Sequence, residues 1–189
     1  MEALGRSPME DFETLSPKES QHSTFEVSDQ EMGGVSSTSF QWTTVTSNKA
    51  ILDHLFQLYF AWVHPVHTLF SEGHFVDSYK WNAYNYCSPV LVNAICAMAC
   101  HLHCTSDGDG IDFEQLEGEF SNAARADIDC EDKRITTIQA FAVMFLVDCA
   151  RANVLRAAAY LRVATNKLSS ITWLDKLRSR LPEEGSKKP

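Results

Sequence analysis

"YCSPVLVNAICAMACHLHC" (Tyr86–Cys104) holds four of the chain's six cysteines and two of its seven histidines. Two readings compete for it: a metal- or thiol-bearing site, or a buried helix rich in sulfur. Ser88-Pro89 has the form of an N-cap followed by a first helical position, so a helix is expected to open there and run to about Cys104. On it Cys96, Cys100 and Cys104 stand at i, i+4 and i+8 along one face, while Val90, Leu91, Ala94, Ile95, Met98 and Leu102 form a larger apolar one. Three thiols along one helix do not close the tetrahedron of a structural zinc site, and His101 and His103, two apart, point away from each other. A thiol nucleophile needs a base within hydrogen-bond reach, and the sequence sets no histidine against Cys87 or Cys96. Free cysteine packs as a small hydrophobe, so these side chains are expected in the core.

The flanking text is helical too. ILDHLFQLYFAWV places Ile51, Leu52, Leu55, Leu58, Tyr59 and Trp62 on one face, thickened by Phe56, Phe60 and Val63, and His64-Pro65 ends it. His64 and His67 flank that proline and suit a loop-capping or partly buried role better than a ligand pair. A short helical turn is expected near His74–Lys80. TSDGDG breaks the cysteine-rich helix, and Asp112-x-x-Gln115, resembling a capping box, opens the next with Phe113, Leu116, Phe120 and Ala124 inward. Thr136-x-x-Gln139 resembles another, ahead of a helix apolar all round through Val147 and therefore expected at the bundle centre. Asn153 is placed to cap an Ala-rich helix carrying Leu155, Ala158, Leu161 and Leu168, and Thr172–Leu181 reads as a last amphipathic piece stopped by Pro182. No β alternation appears after residue 47. Asp107–Glu119, DGDGIDFEQLEGE, invites a calcium reading and fails it: an EF-hand loop wants Gly sixth and Glu twelfth, where Asp112 and Gly118 stand.

Residues 1 to about 40 are different material, Ser/Thr-rich with eight acidic residues against two basic, a net −6. Such a composition buries too little surface to offset chain entropy and reads as disordered, with MEDFETL (Met9–Leu15) as a candidate acidic interaction segment. The expected layout is a disordered acidic tail over 1–47, a helical domain over 48–181 and a polar tail over 182–189. The fold class is all-α, an irregular helical bundle of about six to seven helices. A formal charge of −9, with only Lys176, Arg178 and Arg180 as a basic run, argues against direct nucleic-acid binding. The longest apolar run, IQAFAVMFLV, is half a membrane span. The N-terminus has no apolar h-region, so the cysteines are expected as free thiols inside the cell.

The order of these segments resembles the middle homology, or regulatory, domain of fungal zinc-cluster transcription factors of the xylanolytic-activator type. The likeness begins in LDHLFQLYFAWVHPVHTLFSEGHF (Leu52–Phe75) and continues through YCSPVLVNAICAMACHL (Tyr86–Leu102) and ARADID. It ends in ITTIQAFAVMFLVDCARAN (Ile135–Asn153) and RAAAYLRVATNKL (Arg156–Leu168), about two-thirds of the chain. The resemblance implies an all-helical, non-catalytic module of a nuclear regulator, with no catalytic, cofactor-binding or metal residues of its own. It also implies that the YCSP helix is core. The family's zinc sits in a basic segment of pattern C-x2-C-x6-C…C-x2-C-x6-8-C, whereas the six cysteines here stand at 87, 96, 100, 104, 130 and 149. The text after Leu168 matches less well, so the chain reads as the first part of such a domain. Its expected partner is a protein, or a second copy, met through an apolar helical surface, with neither nucleic acid nor membrane. The alternatives are a metal- or thiol-dependent helical enzyme using the Cys96/Cys100/Cys104 face, and a non-functional truncation product.

Overall fold

The computed structural model describes residues 42–103 and 110–178, with side chains as far as Trp173. The tail with its MEDFETL segment, the break at Thr105–Asp109, Cys104, and everything after Arg178 lie outside the described residues. Six α-helices follow in order: α1 Lys49–Leu58, α2 Glu72–Lys80, α3 Pro89–Cys100, α4 Phe113–Asp127, α5 Ile135–Ala150 and α6 Val154–Arg178. A π-helical turn, Tyr59–Val63, continues α1. The described residues contain no strand, and the all-α expectation holds.

Each start has a local cause. Asn48 accepts from the Ala50 and Ile51 amides, Ser88 from Leu91 ahead of Pro89, and Asp112 from Glu114 and Gln115, so three sets of helix N–H groups are satisfied. Gln115 does not complete the box expected at α4; its amide donates to Glu119 at 2.8 Å. The expected box at Thr136-x-x-Gln139 is absent, because α5 begins a residue earlier at Ile135 and Thr136 is buried within it. Asp132 takes over the capping: its carboxylate accepts from the Arg134 amide at 3.0 Å and the Thr137 hydroxyl at 2.5 Å. The Gln139 amide instead reaches back to the Leu69 carbonyl at 3.5 Å.

The π turn alters which face of the first helix is buried. The His64 amide reaches the Tyr59 carbonyl five residues back, at 3.0 Å, so one extra residue is accommodated in the turn. Val63 then takes the inward position that α-helical spacing assigns to Trp62, which is turned out to 68% exposure. Inside, Phe56 meets Phe75 and Tyr79 edge to face, with Phe56 to Tyr79 centroids 5.0 Å apart, and Tyr59 stacks flat on Phe70. Trp42 closes this cluster from before α1, stacked on Tyr79 and donating its indole N–H to the Tyr79 carbonyl at 3.0 Å. A boundary at residue 47 is therefore drawn too late: Trp42 and Thr43 are already buried.

The central helix is α3 and not α5. α3 packs against α1 with its π turn, α4 and α5, whereas α5 lies between α3 and α6. α3 ends at Cys100, short of the expected Cys104, with His101 as its cap. α6 is one continuous helix, so the separate piece expected from Thr172 does not exist as such. Its serine and threonine hydroxyls turn back onto its own carbonyls, Ser170 to Asn166 at 2.9 Å, and the helix carries on through them.

Candidate functional site

Cys87, Cys96 and Cys100 are free and buried, while Cys130 and Cys149 are free and exposed. Burial pushes Cys87 up to about 12, and Cys100 likewise to about 12 with a smaller push from the Glu117 charge. Burial raises Cys96 well above the usual thiol range, with the neighbouring thiols adding to it. A reactive or metal-binding cysteine needs its thiolate favoured, and this environment does the opposite. Among the described residues no three His, Cys, Asp or Glu side chains come together as a metal cage.

The histidines separate as their spacing demands. His101 Nε2 lies 3.6 Å from Glu117 Oε1, while His103 Nδ1 sits 3.1 Å from His54 Nε2 on α1 and stacks on Phe113. His64 caps the π turn, its ring among Phe60 and Phe70, and His67 is exposed. Of the acidic loop, Asp112 is committed to capping α4, and Glu114, Glu117 and Glu119 are residues of that helix, so they form no ion-binding loop.

Two buried carboxylates escaped the sequence reading. Glu117 faces the core side of α4, and Arg151 at the end of α5 bonds to it directly while His101 approaches from α3. Burial pushes its carboxyl up, but hydrogen bonds from His101 and Arg151 and their charges outweigh that and hold it below the usual range. Asp148, fully buried on α5, faces Arg156 of α6, whose Nε lies 3.1 Å from Oδ1. Lys167 donates to the Asp132 carbonyl at 2.7 Å. These contacts pin α4, α5 and α6 together at their ends. The signal was present in the spacing: Phe113, Glu117, Phe120 and Ala124 lie on one helical face, so a carboxylate was written into an apolar stripe.

Several large apolar side chains of α6 remain exposed. α6 packs on α5 through Ala157, Tyr160, Val163, Ala164 and Ile171, with Tyr160 against Phe141. The residues the sequence offered as its apolar set are turned the other way: Leu155 is 87% exposed, Leu161 43% and Leu168 48%, and Ala158 is exposed with them. The physical reason is size, since small alanines let α6 lie close on α5 while the leucines flank or oppose that contact.

A family model described as the fungal specific transcription factor domain matches residues 56–169. The chain is 29% identical over 150 residues to the notoamide biosynthesis transcriptional activator notL' of Aspergillus versicolor, covering 77% of this chain and 23% of that protein. It is 32% identical over 111 residues to the nitrogen assimilation transcription factor nirA of Emericella nidulans, covering 55% of this chain and 12% of the relative. The nitrogen assimilation transcription factor nit-4 of Neurospora crassa is 31% identical over 116 residues, covering 54% and 11%. The chain thus spans about a quarter or less of the length of these relatives. No solved structure matches it. The matched segment opens inside α1 and closes within α6, taking in the aromatic cluster, the cysteine-rich core helix and the buried ion pairs. The chain belongs to the family that carries the fungal specific transcription factor domain.

Proposed function

We propose that this chain is a non-catalytic regulatory module that works in the nucleus through protein contacts, with DNA reading left to another segment or subunit. The observation that carries the reading is the use of its reactive residue types inside the matched domain. Cys87, Cys96 and Cys100 are buried as neutral thiols, and His101, Glu117 and Arg151 satisfy one another at helix ends. Side chains spent in this way hold helices together and offer a substrate nothing to react with. The module takes no cofactor of its own: the thiols are held in the protonated form that zinc does not bind. Direct duplex binding is opposed by the net charge of −9, since few cations are available to displace counterions from phosphates.

Two measurements test this together. Fused to a heterologous DNA-binding domain with its own activation segment in a fungal reporter strain, the chain is expected to change reporter output. In a gel shift at moderate salt, the unfused chain is expected to show no preferred duplex. A sub-micromolar preferred site that survives competitor DNA overturns the reading, as does stoichiometric zinc lost on replacing Cys96 and Cys100.

A further inference from the structure

We propose that α6 is a hinged latch, which swings off α5 about the Arg151–Asn153 turn while the rest of the domain stays folded and so uncovers Ile138 and Phe141. The inference deepens the regulatory reading and rests on it for its biological meaning, while the opening itself rests on how α5 and α6 are built.

α5 is apolar all round because it carries two stripes. Ala140, Val143, Met144 and Val147 lie at i, i+3, i+4 and i+7 and belong to the main core. Ile138 and Phe141 lie outside it and form a second cluster with Ala164 of α6. Among the described side chains, α1 to α5 each supply buried residues to the main core, whereas α6 supplies none and meets it only through the half-buried Tyr160. The main core is therefore closed without α6. What α6 buries is Ala157 and Ala164, two of the smallest side chains, with Tyr160, Val163 and Ile171 only partly covered. Parting this contact exposes far less apolar surface than parting α3 from its neighbours, and an element held by few apolar contacts opens at low cost.

The polar contacts divide into a hinge and a clasp. Beside the joint, the Asn153 amide donates to the Asp148 carbonyl at 2.8 Å and Arg156 Nε lies 3.1 Å from Asp148 Oδ1. Both contacts fall within the first turn of α6, so they can stay made while the rest of the helix lifts. About three turns further on, Lys167 reaches across to the Asp132 carbonyl at 2.7 Å and fastens the far half to the loop before α5. A contact that favours one state of α6 over the other shifts this equilibrium by its difference in affinity.

The test is alkylation of the full native chain by iodoacetamide, read peptide by peptide by mass spectrometry. Ala164→Cys places a thiol in the α5–α6 contact, and native thiols calibrate it: Cys149 is exposed, and Cys96 has no exposed surface in the core. The introduced thiol should react at least about tenfold faster than Cys96 and about tenfold slower than Cys149. Adding Lys167→Met should speed it about fivefold and leave Cys96 unchanged. Hydrogen exchange of the unsubstituted chain gives a second reading that no variant can disturb. A lifted helix is marginal on its own, so the α6 amides beyond Tyr160 should exchange well before those of α3. Alkylation no faster than at Cys96, or α6 amides that exchange only together with those of α3, overturns the proposal and leaves the regulatory reading standing. Amides of α6 with no protection at all also overturn it, since the latch would never be closed. Indifference to Lys167→Met overturns the clasp.

Discussion

α3 is twelve residues long and ten of them are buried; α6 runs for twenty-five, and of its side chains up to Trp173 only Ala157 and Ala164 are buried. Neither carries an acidic residue in its first turn, and both are built largely from apolar and small side chains. What separates them is the number of neighbours. α3 has helices on three sides and must satisfy each with close packing, whereas α6 lies along α5 and leaves half its circumference to solvent. Apolar character in a helix therefore has two settings here, packed on three sides in α3 and largely exposed in α6. Substitutions should tell them apart.

The largest effect is expected in α3. Ile95 has no exposed surface, and Ile95→Ala removes three buried carbons and leaves a hole that close-packed neighbours fill only in part. The expected loss is about 3 kcal/mol, read by urea denaturation, with a fall in Tm on the order of 10 °C. Leu161→Ala on α6, measured in dilute protein, should change stability by less than about 0.5 kcal/mol. Equal losses at the two positions would show that α6 is held as tightly as α3 and would end the contrast.

The cap of α3, α4 and the end of α5 are linked through charge at Glu117, and pH probes that link. Glu117 titrates below the ordinary carboxylate range in the folded chain, so its stabilising contribution is complete above about pH 4.3 and is lost as pH falls through the lowered value. Asp132, whose burial is outweighed by bonds from Thr137 and Arg134, acts in the same direction, while Asp53, raised by burial, opposes it. Glu117→Gln should cost about 1–2 kcal/mol at pH 7. That figure is kept modest because the Arg151 and His101 side chains are each 26% exposed. Wild type and variant should converge once pH has fallen below the lowered folded value, where the carboxylate is neutral in both states. At the alkaline end the sign reverses. Cys87 and Cys100 stay protonated to about 12 when folded but ionise near 8.5 when unfolded, so stability should fall from about pH 9 upward. A variant whose deficit does not shrink as pH falls would assign the loss to packing, not charge.

The fold was legible where the chain announces local structure. Ser88-Pro89, Asp112 and Asn153 mark three helix starts correctly because a cap is a short-range contact between neighbours. The burial of Cys87, Cys96 and Cys100 was legible for the same reason: one helical face and no base. The errors share a different cause. Trp62 was set inward because the π turn depends on i+5 backbone hydrogen bonds that no residue type advertises. Which way the Leu155, Leu161 and Leu168 set of α6 would turn was not legible, because hydrophobicity does not say which of two apolar faces a neighbour will choose. Trp42 was left to the tail because its partner, Tyr79, is 37 residues away. Information that lives in tertiary contacts is missing from a periodicity.

The smallest expected effect lies at the joint between the two regimes. Three residues, Arg151 to Asn153, turn the chain from α5 into α6, and the Asn153 amide closes the turn on the Asp148 carbonyl at 2.8 Å. Ala152, inside it, has φ of 55°, the left-handed region where a Cβ crowds the following carbonyl. Helices commonly end this way with glycine, which pays no such penalty, yet the chain uses alanine. Ala152→Gly should therefore relieve the strain, and the added freedom of the unfolded chain should take part of that gain back. The net expectation is a stabilisation of about 0.5 kcal/mol, seen as a rise of one or two degrees in Tm. Because α6 is fastened through this turn and through α5, the gain should appear first as slower hydrogen exchange in the first turns of α6, with α3 unchanged. Slower exchange in α3 of the same size would mean that the two helices open together, and α6 would then belong to the same cooperative unit as the core.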